Sequence, residues 1–160
     1  MSSSDQKIRT QAQAVMEVRY ACHYGELNER FWRHIDTWLN LLGALGGSAA
    51  VAALLGQSLL LSGVAGVVMA VASTCQMVLR PLDRAYDFRD ARRAFAALDV
   101  RAWSLSLADL DAQLKPLQAE SPVGFRWLGM PAFNLCMLAN GEERAVRPLS
   151  WPERIALAIA

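Results

Sequence analysis

One stretch of sequence decides the fold: Thr37 to Leu79, TWLNLLGALGGSAAVAALLGQSLLLSGVAGVVMAVASTCQMVL. Over these 43 consecutive residues there is no Asp, Glu, Lys, Arg or His, and the stretch lies between Asp36 and Arg80. A transmembrane helix needs about 20 mainly apolar residues to cross a hydrocarbon core about 30 Å thick. Because the stretch is about twice that long, it predicts two membrane crossings.

The most polar tripeptide inside the stretch is Gly56-Gln57-Ser58, which separates spans at about 38–55 and 59–78. Because two to five residues are enough to reverse a helical chain, we expect a transmembrane helical hairpin with a very short turn. The competing interpretation is a soluble hairpin buried in a large core. The length of the chain argues against this interpretation, because the rest of its 160 residues can hardly cover two helices that are apolar on every face.

Basic residues on both sides of the hairpin predict its orientation. Arg30 and Arg33 precede the first span, and Arg80 and Arg84 follow the second. Arginine within about 15–20 residues of a span favours the cytoplasmic side, and anionic headgroups attract the arginines nearest the membrane. We therefore expect a bacterial inner-membrane protein with both termini in the cytoplasm. The first 35 residues carry both signs of charge, which argues against a signal peptide.

Small residues recur in both spans at the spacing of helix-packing motifs. Gly43 and Gly47 form a GxxxG motif in the first span, beside Gly46 and Ala50. Small residues allow membrane helices to approach closely. They either close the hairpin on itself or also contact other copies of the chain, and we expect the first for at least one span. The second span carries a similar stripe: Ser62, Gly66, Ala70 and Thr74.

Four polar residues in or near the spans are candidates for the lining of a pore: Asn40, Ser48, Ser73 and Gln76. Polar side chains inside a membrane are expected to turn away from lipid. They are compatible with a pore without requiring one, because a pore needs such groups on one face of several assembled helices. Neither span contains an acidic or basic residue, which argues against a proton relay or a voltage sensor.

The segments that flank the hairpin predict further helices. Residues 1–36 predict an N-terminal cytoplasmic helix that starts near residue 5, and residues 80–160 predict a C-terminal cytoplasmic helical region that ends in a short helix at 152–160. No alternation typical of strands occurs. The sequence therefore predicts an all-α membrane protein, in which a two-span hairpin at residues 37–79 is continuous with cytoplasmic amphipathic helices.

Composition and motifs exclude several classes of function. Sixteen basic and fifteen acidic residues give a net charge of +1, which argues against a nucleic-acid partner. The chain has no P-loop, GxGxxG, GxSxG, HExxH or EF-hand pattern, so we expect neither an enzyme nor a bound cofactor or metal. The expected partners are the lipid bilayer and other copies of the chain, with a cytoplasmic protein as a further candidate.

The order of these elements resembles the SLATT superfamily, the two-transmembrane effector domains of bacterial nucleotide-signalling and prophage defence systems. The resemblance covers about two thirds of the chain and rests on layout rather than on a signature motif. It is carried by the segment from Arg19-Tyr20 through Phe31-Trp32 to the spans, and by residues 89–98 and 134–140. It implies an effector that assembles in the inner membrane and forms a pore, with no catalytic residues.

Two other functions fit the same layout. The compact size and the minimal external turn also suit a phage or prophage accessory protein, such as a holin-like lysis factor or a superinfection-exclusion protein. Alternatively, the hairpin anchors a scaffold without a pore, and the cytoplasmic helices bind a partner protein. The sequence leaves these alternatives open.

Overall fold

The computed structural model describes residues 9–56 and 59–160, and within them the chain is all-helical, as predicted, with no strand. Two single-turn 3-10 helices, Arg126–Leu128 and Glu143–Ala145, lie in the connections. The six α-helices are α1 Gln11–Leu55, α2 Leu59–Leu79, α3 Pro81–Ala102, α4 Leu107–Glu120, α5 Gly129–Ala139 and α6 Trp151–Ile159.

Helix α1 is the long axis of the molecule. Its 45 residues extend for about 68 Å at 1.5 Å per residue, and they join the N-terminal helix and the first apolar segment without a break. The N-terminal helix was expected from residue 5, but residues 5–8 lie outside the described part of the chain. The predicted break falls between the end of α1 at Leu55 and the start of α2 at Leu59, where Gly56 is a turn residue and Gln57 and Ser58 are not described.

Helix α2 packs against the second half of α1. Gly46 in α1 lies against Ala65 and Met69 in α2, and the earlier residue Asn40 contacts the later residue Gln76. The two helices therefore run antiparallel. We call this unit, residues 37–56 and 59–79, the hairpin. The remaining described residues, 9–36 and 80–160, are called the bundle.

The junction between α2 and α3 is a single residue, Arg80, whose backbone is left-handed with φ 43°. The ring of Pro81 disfavours the right-handed helical conformation for the residue before it, so α2 ends there and α3 begins anew. Among the described residues, one stretch, Ser62–Ala102, is apolar and long enough to cross a membrane, and 11% of its most apolar window is buried. That stretch spans the junction and includes most of α2.

The bundle core consists of two apolar clusters along one side of α1. The first joins α1 to α3 and α4 through Val15, Val18, Phe95, Leu98, Leu110 and Leu114. The second lies closer to the hairpin and joins α1 to α3, α5 and α6 through Leu27, Phe31, Trp32, Phe88, Leu128, Ala132 and Ala156.

Two buried asparagines fix the connections of the bundle. Asn28 donates to the carbonyl of Tyr24 at 2.8 Å and accepts the backbone N–H of Phe125 at 2.7 Å. Asn134 donates to the carbonyl of Arg147 at 2.7 Å and accepts its N–H at 3.0 Å. A buried amide satisfied on both sides stabilises its loop, because neither polar group is left without a partner.

Candidate functional site at the hairpin

The closest approach between the helices of the hairpin is at Gly46. A Cβ atom at this position would lie 3.2 Å from the carbonyl oxygen of Ala65 and 3.3 Å from the backbone nitrogen of Met69. Ala65 and Ala72 are the buried side chains on the facing side of α2. This seam of small residues brings the two backbones together, and small residues are also what allows close packing between helices in membranes.

The small residues singled out in the sequence lie elsewhere on the two helices. Gly47 is next to the seam, where a Cβ would contact the Met69 sulfur at 3.7 Å. A Cβ at Gly43 or Gly66 would meet nothing within 4 Å. Ser62 is half-buried, whereas Ala70 and Thr74 are exposed. The sequence spacing therefore identified small-residue faces, but it did not identify Gly46, Ala65 and Ala72 as the seam.

Helix α2 has two unlike sides next to this seam. Each residue of an α-helix is rotated by about 100° from the one before it. On this basis six small or hydroxyl residues of α2 fall within about a third of its circumference. Five valines lie on the other side of the helix. We call the first set the small flank and the second the valine flank. The small flank is Ser62, Gly63, Gly66, Ala70, Ser73 and Thr74, and the valine flank is Val64, Val67, Val68, Val71 and Val78.

Two of the four candidate pore-lining residues bind each other. The side-chain amide of Gln76 donates to Asn40 Oδ1 at 2.7 Å, and Asn40 Nδ2 donates to Asp36 Oδ2 at 2.9 Å. This chain of hydrogen bonds joins α2 to α1 at the end of the hairpin nearest the bundle. Within one chain, these amides therefore serve the contact between the helices.

The other two candidates are exposed. Ser48 donates to the carbonyl of Leu45 at 3.0 Å, one turn back in its own helix. Ser73 is exposed on α2 within the small flank. Neither hydroxyl joins the two helices, so these residues are available to a neighbouring molecule.

Arginines surround the junction of the hairpin with the bundle. The guanidinium group of Arg84 is 4.8 Å from the centroid of the Trp32 ring, and this placement is typical of a cation–π interaction. Arg30 pairs with Glu26 at 2.5 Å and Arg33 pairs with Glu29 at 3.0 Å. Arg80, at the left-handed turn, is exposed.

Helix α6 reaches the same junction from the C-terminal end of the chain. Its Ile159 packs on the second cluster together with Ile35, which precedes the hairpin, and Leu79, which is the last residue of the hairpin. The carbonyl of Ile159 also accepts a hydrogen bond from the His34 ring. The hairpin is therefore attached to the bundle by three helices rather than by α1 alone. In the part of the chain that the structure describes, no three His, Cys, Asp or Glu side chains are grouped to hold a metal ion.

Comparison of the chain with protein-family models, with curated proteins and with solved structures finds no match.

Proposed function

We propose that this chain is an inner-membrane effector that crosses the bilayer twice through its hairpin, associates with other copies of itself and permeabilises the membrane. The observation that carries the proposal is the exposed apolar surface of the hairpin. Thirteen large apolar side chains described between residues 38 and 78 are exposed, among them Leu60 at 82% and Val67 at 64%.

The size of this surface favours lipid rather than water around the hairpin. Thirteen such side chains expose on the order of 1,000 Å² of apolar area, whereas the largest patch on a soluble monomer is about 300–600 Å². The bundle packs against the hairpin at Leu79, whereas large apolar side chains described along both hairpin helices are exposed. Lipid covers such a surface without a further protein partner, and both helices satisfy their backbone hydrogen bonds internally.

The charges agree with two crossings. The hairpin carries no charged side chain, while Arg30, Arg33, Arg80 and Arg84 are gathered where it joins the bundle. Arginines near the ends of spans stay on the cytoplasmic side. This arrangement supports a hairpin whose short turn alone faces the outside and whose bundle lies in the cytoplasm.

The small flank of α2 supports self-association. Gly66 has open space around it within one chain, so the seam of the hairpin does not account for this residue. A second helix can approach closely there, because association in lipid depends on packing of small residues and on interhelical hydrogen bonds. Ser73 and Thr74 on the same flank would supply hydroxyl groups to an assembly, and they are our candidates for the polar lining.

The test uses the whole chain in vesicles of phosphatidylethanolamine and phosphatidylglycerol. A potential-sensitive dye reports the collapse of a potassium diffusion potential, and the oligomeric state is measured in nanodiscs of the same lipids. We expect depolarisation that rises more steeply than linearly with protein per vesicle. A monomer in nanodiscs that leaves the vesicles polarised at every protein density would overturn the proposal.

A matched pair of variants separates self-association from folding. Gly66→Leu places a large side chain in space that is open within the monomer, so we expect an intact hairpin but a loss of oligomers and at least a tenfold loss of permeability. Val67→Leu, one residue further on the valine flank, is the control and should leave both unchanged. Equal behaviour of the two variants would remove the small flank from the mechanism.

Two further experiments would favour the alternatives. Lysis that requires a co-expressed endolysin would identify a holin-like protein. Stoichiometric capture of one protein by the full chain, with no change in permeability, would identify a scaffold anchored by the hairpin.

A further inference from the structure

A groove crosses the bundle between α1, α3 and the end of α4. Its first half is a cavity of about 310 Å³, and its second half is a cavity of about 340 Å³. The two halves share Ala91, Phe95, Ser121 and Pro122 as lining residues, so they adjoin. Both volumes lie at the lower end of the range for small-molecule pockets, about 300–1,000 Å³.

The first half of the groove has aromatic walls. Tyr20 and Tyr24 on α1 stack with ring centroids 5.9 Å apart and an angle of 14° between the rings. Phe88 and Phe95 on α3 line the same cavity. Burial raises the pKa of both tyrosines, so their hydroxyls stay neutral at physiological pH.

The wall formed by the connection after α4 is held in place. The Tyr24 hydroxyl donates to the carbonyl of Phe125 at 3.5 Å, and Asn28 accepts the N–H of the same residue. A Cβ at Gly124 would collide with the Tyr24 ring, so only glycine permits this approach. The cavity is therefore formed before any ligand binds, which reduces the ordering cost of binding.

The charged residues described in the lining of the groove are all acidic. Four carboxylates line its two halves, namely Glu17, Asp87, Asp90 and Glu120, and neither half is lined by a Lys, Arg or His among the residues described. Glu17 pairs with Arg9 at 2.5 Å, and Asp90 lies 3.8 Å from Arg93. No salt bridge forms at Asp87 or Glu120 within the described part of the chain.

We infer that this groove binds a small organic cation that carries an apolar or aromatic body, such as an arylalkylamine. The body packs on Tyr20 and Tyr24, whose ring faces attract cations and apolar groups alike. The ammonium group lies toward Asp87 and Glu120, the carboxylates without a salt bridge.

This inference goes beyond the proposed membrane activity and does not depend on it. The groove is formed by residues 17–25, 87–95 and 117–122 of the bundle, none of which belongs to the hairpin. Binding is measured on the detergent-solubilised full chain, so a failure of binding and a failure of membrane permeabilisation are separate results.

The experiment compares three probes with the same aromatic body. 2-Phenylethylamine is positively charged, 2-phenylethanol is neutral and phenylacetate is negatively charged. Ligand-detected NMR and isothermal titration calorimetry give each dissociation constant. Because Asp87 and Glu120 are exposed, water screens an ion pair with either of them. We therefore expect the amine to bind about two- to fivefold more tightly than the alcohol, and the carboxylate to bind more weakly than the alcohol.

Variants locate the binding. Asp87→Asn and Glu120→Gln should each weaken binding of the amine about twofold and leave binding of the alcohol unchanged. Ala91→Trp fills the part shared by both halves and should abolish binding of both probes. Ala96→Trp, at an exposed position of the same helix, is the control for folding and should bind normally.

Three results would overturn the inference. The first is equal affinity for amine, alcohol and carboxylate, which would leave the carboxylates without a role. The second is amine binding that survives Ala91→Trp in a folded protein, which would place the ligand elsewhere. The third is the absence of amine binding to the wild-type chain.

Discussion

Substitution of Gly46 tests the packing of the hairpin most directly. A Cβ added there would lie 3.2 Å from the Ala65 carbonyl oxygen and 3.3 Å from the backbone nitrogen and the Cβ of Met69. These distances are shorter than ordinary van der Waals contact. Since two of the three atoms belong to the backbone of α2, no side-chain rotation relieves the contact, and the helices must separate by a few tenths of an ångström.

The magnitude follows from two opposing effects. Alanine in a helix interior is favoured over glycine by about 0.5–1 kcal/mol, and this gain applies at Gly46 and Gly43 alike. Overpacking costs about 1–3 kcal/mol, and it applies at Gly46 only, because a Cβ at Gly43 meets nothing within 4 Å. We therefore expect Gly46→Ala to be less stable than Gly43→Ala by about 1–3 kcal/mol.

The assay is equilibrium unfolding of the two variants and the wild type in mixed micelles, as the fraction of denaturing detergent is raised. Near-ultraviolet circular dichroism and tryptophan fluorescence report the tertiary contacts. Gly46→Leu and Gly43→Leu extend the comparison, and the difference between them should be larger. If the two alanine variants are equally stable, or if Gly43→Ala is the weaker, the described rotation of α1 against α2 is refuted.

Three further predictions concern the bundle. Asn28→Ala removes the acceptor of the part-buried N–H of Phe125, so it should lower the free energy of unfolding by about 1–3 kcal/mol, measured by chemical denaturation in detergent. Burial raises the pKa of the Cys22 thiol from 9.0 to about 11. As the pH rises, this thiol loses its proton in the unfolded chain before it does so in the folded chain, so the free energy of unfolding should fall between pH 9 and about 11. Chemical denaturation of Cys22→Ala should show a flatter pH dependence. Hydrogen bonds from Ser150 lower the pKa of Glu153 below 4.5, so the protection of α6 amides from hydrogen exchange should decrease as the pH falls through that lowered value, and Glu153→Ala should lose this dependence.

The helices of this protein were predictable where their signals are local. Ser106 caps α4 by accepting the N–H of Asp109 at 3.2 Å, and Ser150 with Glu153 forms the capping box of α6. Each signal involves residues three positions apart, so the sequence contains it completely. The all-helical class follows from the same local patterns.

The contacts of the hairpin were less predictable. Three glycines, Gly43, Gly46 and Gly47, lie within five residues of each other, and the GxxxG spacing favoured the first and the third. The closest contact is made by Gly46 because it faces Ala65 and Met69. Polarity alone made Asn40 and Gln76 candidates for the lining of a pore. The hydrogen bond between them depends on how α2 packs against α1, which the sequence does not show.

The sequence by itself determined that the chain is helical and that 43 residues without charge lie between two charged segments, since both follow from side-chain chemistry read along the chain. Tertiary structure decided how the helices are rotated and which distant residues meet. A helix that is apolar on every face has no amphipathic pattern to fix its rotation, so backbone fit at Gly46 sets it. The groove likewise combines Glu17, Phe88 and Glu120, whose separation along the chain hides any common site until the bundle forms.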